Sequence, residues 1–278
     1  MAITTSMIKE LRDATGLGIA DCKNALQASD GDFDAAIKTL REKGAAVAAK
    51  RASKEAKEGV ITAILSDDAQ SAAMIEVNCE TDFVTRNEDF QNFVGELRGE
   101  ALNFESDAMS AGIAEKIEEK IGSIGEKLQL RRNVKWDVDG TGAIASYIHM
   151  GGKVGVLLEL GCEKAETIES PVYKELAKDL TLHVAAAAPE YLTRDEVPAE
   201  TVEAEKDIFR KQLEGKPENI MENILKGKIN KYFSTICFVE QGFVKEDKVS
   251  ITNLVTEKGK ELGDTLTVKR YVRYQLGT

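Results

Sequence analysis

The spacing of apolar residues changes character along the chain, and each change predicts a different element. Ile8 and Leu11 lead into Ala14-Thr15-Gly16, which stops a short helix. Cys22, Ala25 and Leu26 share one face of a second helix, from Asp21 to Gln27. Asp30-Gly31-Asp32 is a turn and N-cap signal before Phe33, Ala36, Ile37 and Leu40 at helical spacing. Gly44 is expected to end that third helix, and Ala45 to Lys57, rich in Ala, Lys and Arg, reads as a helical linker. Three short helices make a small core, marginal by surface-to-volume reasoning but feasible. Strand-like runs follow. Val60 to Leu65, a polar turn and Ala72 to Val77 predict an antiparallel hairpin, with Met74, Ile75 and Val77 buried and Asn78 marking the strand end. Thr81 or Asp82 is placed to cap a helix continuing through Phe90, Phe93, Val94 and Leu97. Helical pattern covers Asp89 to Leu102 and again Ile113 to Ile121, and Leu130 to Trp136 reads as a strand.

The same pattern then recurs. At an offset of 83, Gly59 falls on Gly142, Ile61 on Ile144, Glu76 on Glu159, Cys79 on Cys162, Glu80 on Glu163, Phe90 on Tyr173 and Leu97 on Leu180. The closing motifs match at an offset of 138: Ile124-Gly125-Glu126 falls on Leu262-Gly263-Asp264, Arg132 on Arg270 and Val134 on Val272. The difference of 55 residues sits inside the second copy, after Pro189. There Val202, Phe209 and Leu213 follow helical spacing, Gly215-Lys216-Pro217 breaks the chain, and Ile220, Ile224, Leu225, Ile229, Tyr232 and Phe233 form a second stripe. Two helices joined by a tight turn predict an antiparallel helical hairpin, its stripes packed on each other. One stretch escapes the repeat. Thr81-Asp82-Phe83 falls on Lys164-Ala165-Glu166. A phenyl ring in a polar connection either folds back onto the core or meets a partner. A ring needed to seal the unit's own core would have an apolar counterpart, so the loop of copy one is read as specialised beyond folding.

Length and charge narrow the function. At 278 residues the chain is long enough for about two domains. A net charge of −11 argues against non-specific nucleic-acid binding, which needs Lys and Arg to neutralise phosphates. The basic run Lys50, Arg51, Lys54 and Lys57 reads as a solvated face. Cys22, Cys79, Cys162 and Cys237 form no CxxC pair and read as small buried residues of a reducing compartment. With only His149 and His183 to supplement them, zinc is not expected, and no cofactor is expected either. No apolar run reaches membrane-spanning length and Met1-Ala2-Ile3-Thr4 begins no signal peptide, so a cytoplasmic protein without membrane association is expected.

Enzymatic constellations are thin. A Ser-His-Asp arrangement would need His149 or His183 as base, and His183, in Thr181-Leu182-His183-Val184-Ala185, reads as a packed or partly exposed helix residue. Met150-Gly151-Gly152-Lys153 lacks the spacing of a phosphate loop and is better explained as a hairpin turn. His149, beside that turn, stands where copy one has Ser66. Asp82 and Glu80 form a conceivable acid/base pair, but neighbouring side chains on a loop need not converge.

The residues now assembled resemble those of bacterial elongation factor Ts. Glu76-Val77-Asn78-Cys79-Glu80-Thr81-Asp82-Phe83-Val84 is the family's most specific motif and is complete here. Arg12-Asp13-Ala14-Thr15-Gly16, Asp21-Cys22-Lys23-Asn24-Ala25-Leu26, Ile124-Gly125-Glu126, Tyr147-Ile148-His149 and Lys216-Pro217-Glu218 agree as well, so the resemblance covers essentially the whole chain. The fold expected is α+β. Residues 1–57 would be a ubiquitin-associated-like (UBA-like) three-helix domain with its linker. Residues 58–140 and 141–278 would be a duplicated antiparallel-sheet and helix core, the second half carrying a coiled-coil hairpin at about 197–233.

The resemblance further implies a guanine nucleotide exchange factor for elongation factor Tu, working in protein synthesis and doing no covalent chemistry. Thr81, Asp82, Phe83 and Val84 would reach the partner's nucleotide pocket and disturb its Mg²⁺ site, so that GDP leaves and GTP later displaces the factor. Phe83 would be the apolar wedge and Asp82 the polar lever. Arg12, Ile19, Lys23, Arg51, Ile124, Gly125 and His149 would contact the partner, the N-terminal ones on its GTPase domain. Many relatives have methionines where this chain has Ile19 and Ala20, which implies a smaller contact, and often lysine at Arg51, which changes donor geometry. Some relatives continue into a further helical module, so contacts made by it are expected to be absent after Thr278. Dimerisation of the chain itself is compatible with all of this. The competing class is a non-catalytic adaptor or chaperone-like scaffold that binds another partner through the UBA-like unit.

Overall fold

The structure, a computed structural model, describes residues 3–213 and 217–278. Helices α1 (Thr5–Thr15), α2 (Ile19–Ala28) and α3 (Phe33–Arg51) open the chain. Thr4 caps the first by accepting from the Met7 N–H, and Gly16, at φ 67°, closes it in the left-handed conformation. Asp32 caps the third by accepting from the Ala35 N–H. Leu11, Cys22, Ala25, Leu26, Ala36 and Leu40 are the core these helices share.

Next come β1 (Glu58–Leu65), β2 (Ser71–Cys79), α4 (Asp82–Thr85), α5 (Glu88–Glu100), α6 (Met109–Gly112), α7 (Ala114–Ile124) and β3 (Leu128–Asp137). They are followed by β4 (Gly142–His149), β5 (Val154–Gly161), α8 (Pro171–Ala187), α9 (Ala199–Gln212) and α10 (Glu218–Ile236). The short hairpin β6 (Gly242–Phe243) and β7 (Glu246–Ser250), then α11 (Ile251–Leu262) and β8 (Thr267–Gln275), complete the chain, an α+β arrangement. The two main sheets are antiparallel, ordered β1-β2-β3 and β4-β5-β8, and each shifts register at the same place, after Glu76 and after Glu159.

Alternation along the strands explains the layering. In β2, Ala73, Ile75, Val77 and Cys79 face α5 and α7, while Ala72 and Met74 face the other sheet. In β5, Val156, Leu158 and Leu160 pack with Tyr173, Leu176 and Leu180 of α8, while Leu157 joins Ile61, Met74 and Ile144 between the sheets. The sheets therefore lie face to face with helices outside. Gly155 permits this approach, since a Cβ there would sit 2.5 Å from the Ile61 side chain and 2.6 Å from Met74 sulfur. Matching backbone bonds tie the sheets, from the Ile61 N–H to the Gly152 carbonyl at 2.8 Å and from the Ile144 N–H to the Ala69 carbonyl at 3.0 Å.

Three expectations need correction. Gly44 does not end the third helix. α3 runs through it to Arg51, and the supposed helical linker is the end of α3 followed by irregular chain from Ala52 to Lys57. Gly44 is where α3 crosses α7, for a Cβ on Gly122 would lie 2.9 Å from the Gly44 Cα. Asn78 does not end β2, which continues to Cys79, because its buried amide donates to Glu76 Oε1 and to the Glu58 carbonyl. The helix expected from Thr81 through Leu97 is two. The chain breaks after Thr85, and Asn87 caps α5 afresh by accepting from the Asp89 N–H.

In the insertion, Val202 and Phe209 of α9 pack on Leu225, Ile229, Tyr232 and Phe233 of α10. Ile220 is left exposed, as is Ile208. Gly215 and Lys216, read as the break between the helices and as part of a family motif, lie outside the described residues. No described helix is long and apolar enough to cross a membrane.

Candidate functional site

Residues 82–85 make one helical turn, α4. Successive residues on such a turn point about 100° apart, so one side chain can enter the core while its neighbour leaves it. Val84 enters, packing with Cys79, Phe90 and Phe93, whereas Phe83 is 79% exposed. The turn is held from within. Thr85 Oγ1 donates to the Asp82 carbonyl at 2.6 Å, the Asn87 N–H donates to the Val84 carbonyl at 2.9 Å, and Arg86 pairs with the Asp82 carboxylate at 3.1 Å. That ion pair is solvent-exposed and so worth at most about 1 kcal/mol. A partner can therefore take either charge.

Two carboxylates join the turn to the α7–β3 connection, one from each side. Glu126 accepts the Thr81 N–H at 3.0 Å and the Thr81 hydroxyl at 2.7 Å. Glu80 accepts the Lys127 N–H at 2.7 Å and Arg51 at 3.0 Å. Lys127 Nζ in turn donates to the Ala52 and Lys54 carbonyls just beyond α3. Thr81 occupies the N-cap position of α4 but spends its hydroxyl on Glu126, so the capping bond read from the sequence is not made. Below them Cys79 is buried and donates to the Thr81 carbonyl; burial, with Glu126 and Glu58 adding to it, pushes its thiol up to about 12 and leaves it inert. Glu80 and Asp82 do not converge, each being engaged with a different cation.

The β4–β5 turn stands beside this loop. Lys153 and Glu58 are paired at 2.6 Å; a groove with Asp82 and Arg86 lies on one side of the pair, and a groove with His149 and Met150 on the other. His149 is exposed, its Nδ1 2.8 Å from the Tyr147 hydroxyl. Met150, 70% exposed at φ 50°, belongs to the same surface and was missed. An apolar side chain ahead of Gly151-Gly152 carried the same signal as Phe83, a large apolar group in a polar turn.

Ile124 is partly buried against the core of the first sheet, and Gly125 closes α7 at φ 81°. Arg51 is partly buried and already engaged with Glu80. The structure thus gathers Thr81–Val84, Ile124, Gly125, Arg51 and His149 on or near one face. Arg12 and Lys23 are exposed on α1 and α2, as is Ile19 at 59%. No hydrogen bond or ion pair among the described residues joins these three to the α4 turn. His183 lies elsewhere, fully buried in α8, its Nε2 donating to Gln241 Oε1 and its Nδ1 accepting from the Val244 N–H. Among the described residues no cluster of His, Cys, Asp or Glu is arranged to hold a metal ion.

Comparison with known proteins identifies the family. A profile of the family described as Elongation factor TS matches residues 80–278, beginning at the grip residue Glu80. The elongation factor Ts of Trichlorobacter lovleyi is 40% identical over 292 residues, covering 100% of this chain and 93% of that protein. That of Clostridium botulinum is 43% identical over 288 residues, covering 99% and 93%. That of Clostridium perfringens is 40% identical over 287 residues, again covering 99% and 93%. The three-helix unit, outside the profile, is thus included in the full-length matches. Matched nearly end to end by relatives of one name, this chain belongs to the elongation factor Ts family of translation elongation factors.

Proposed function

We propose that the chain is a guanine nucleotide exchange factor for elongation factor Tu and that the α4 turn is its working part. The observation that carries this reading is Phe83, left 79% exposed on a turn whose next residue is core. Exposing a phenyl ring forgoes about 1.5–3 kcal/mol of burial, which a partner can recover. Phe83 enters the partner's GTPase domain as an apolar wedge, Asp82 exchanges Arg86 for a polar group there, and Thr81 and Val84 hold the turn in place. Mg²⁺ requires near-octahedral oxygen ligation, so small displacement of its supports weakens its hold on the nucleotide. Linkage makes factor and nucleotide weaken each other equally, so GTP then displaces the factor. The chain itself performs no covalent step and needs no cofactor.

The other contacts follow the same reading. Arg12, Ile19 and Lys23 of the UBA-like unit, residues 1–57 with the linker, dock on the GTPase domain, and Arg51 contributes from its pair with Glu80. Ile124, Gly125 and His149 extend the contact from the two core halves, residues 58–140 and 141–278. α9 and α10 act as a coiled-coil arm. The test is release of a fluorescent GDP analogue from elongation factor Tu. The chain is expected to speed release, and Phe83→Ala to lower the maximal rate at least about tenfold, the kinetic equivalent of losing one buried ring. Normal release by folded Phe83→Ala would overturn the wedge.

A further inference from the structure

We propose that Glu126 is a positioning residue for the exchange reaction, fixing the pose of Phe83 through Thr81. The inference rests on the reading of the α4 turn given above. Residues 80–81 and 126–127 exchange two carboxylates. Glu126 takes both the N–H and the hydroxyl of Thr81, and Glu80 takes the N–H of Lys127. Glu126 makes no other hydrogen bond or ion pair among the described residues, so its whole polar capacity is spent on the residue before α4. Thr81 is two residues from Phe83, and the intervening backbone is a single closed turn. Rotation at Thr81 therefore carries the ring with it. Val84, below, fixes the depth of the turn but not its direction about the strand end.

The second copy supplies an internal comparison. Asp264 occupies the equivalent position and accepts from the Glu163 N–H, the Lys164 N–H and the Thr167 hydroxyl. An acid at this place is thus part of the shared architecture. What differs is the load. In copy two the acid holds a loop without an aromatic ring; the Glu163 side chain makes no return bond among the described residues, and the return bond there runs from Lys164 Nζ to the Gly263 carbonyl at 2.7 Å. In copy one the acid is a longer glutamate, bonds a single residue with both oxygens, and is matched by the Glu80 grip that continues to Arg51 at the end of α3. The loop carrying the exposed ring is the one whose return grip is a carboxylate tied onward to α3.

The experiment compares Glu126→Ala, Glu126→Gln, Phe83→Ala and the double variant Glu126→Ala with Phe83→Ala. It reads the maximal rate of GDP-analogue release, the factor concentration giving half of it, and the melting temperature. Glu126→Ala is expected to lower the maximal rate about tenfold, a misplaced ring losing most of what the ring supplies. Glu126→Gln, which still offers an acceptor to the Thr81 N–H and a donor to its oxygen, restores most of the rate. Adding Glu126→Ala to Phe83→Ala costs nothing further. A lower melting temperature with an unchanged maximal rate would reduce Glu126 to a structural staple and overturn the proposal, as would losses that multiply in the double variant. If Phe83→Ala releases nucleotide normally, the underlying reading fails and this one with it. Should Glu126→Ala not fold, Thr81→Val against Thr81→Ser asks the same question, with Thr81→Val expected to slow release several-fold more than Thr81→Ser, and equal rates in the two overturning the proposal.

Discussion

Phe83 and Val84 are neighbours on one turn with opposite surroundings, which makes them separable by measurement. Val84→Ala removes two methyl groups from a packed site beside Phe90 and is expected to cost about 1–3 kcal/mol in urea unfolding. Phe83→Ala touches nothing buried and should stay within about 0.5 kcal/mol of wild type. The loop's specialisation was legible because the repeat set Glu166 against Phe83. The grip on the loop was not, since Glu126 lies 45 residues from Thr81 and nothing in the spacing pairs them. His183 makes a prediction about pH. Its neutral form donates to Gln241 and accepts from the Val244 N–H, so a second ring proton would face an N–H, and burial holds its pKa below the usual histidine value. Between that lowered value and about 6.5 the unfolded chain binds the extra proton, so stability is complete above about pH 6.5 and falls as pH drops. Melting temperatures between pH 7.5 and 5.5 should show the decline in wild type and a flatter profile in His183→Gln.

At the level of elements, the crossing of α3 and α7 shows where a local reading stops. Glycine after an apolar helical run is ordinarily a stop signal, and Gly16, Gly125 and Gly263 obey it with positive φ. Gly44 does not, because its role is set by Gly122, in a helix 78 residues later. The two glycines are unequal partners. A methyl on Gly122 would meet the Gly44 Cα at 2.9 Å, and backbone cannot yield as a side chain does. Gly122→Ala is expected to cost about 1–3 kcal/mol as an overpacked contact. A methyl on Gly44 would stand 3.7 Å from the Gly122 Cα, ordinary contact distance, so Gly44→Ala should be neutral or gain up to about 1 kcal/mol from helix propensity. Equal losses in the two variants would mean that the helices do not cross there.

Across the whole molecule, two buried ion pairs repeat with the fold and make one body of its two sheets. Glu76 pairs with Arg132 at 2.7 Å, and Arg132 reaches the Gln275 carbonyl of the other sheet and lies 4.0 Å over the Tyr274 ring. Glu159 pairs with Arg270 at 2.7 Å, and Arg270 reaches the Asp137 carbonyl and lies 4.4 Å over Trp136. Each glutamate also accepts a backbone N–H from across the boundary, Glu76 from Gly277 and Glu159 from Asp139. The repeat made the pairings Glu76 with Glu159 and Arg132 with Arg270 readable. That each arginine serves the opposite sheet required knowing that the sheets lie face to face. Removing one member of a buried pair leaves the other charge uncompensated and typically costs about 3–5 kcal/mol, less where the remaining arginine can reach water. Glu76→Leu and Glu159→Leu are therefore each expected to lose about 3 kcal/mol in urea unfolding. Because each clamp spans both sheets, either variant should still unfold in one transition that moves as a whole, with faster amide exchange at Ile61 and Ile144, whose N–H groups bond across the same boundary. Two separate transitions, only one of them shifted, would mean that the halves stand independently.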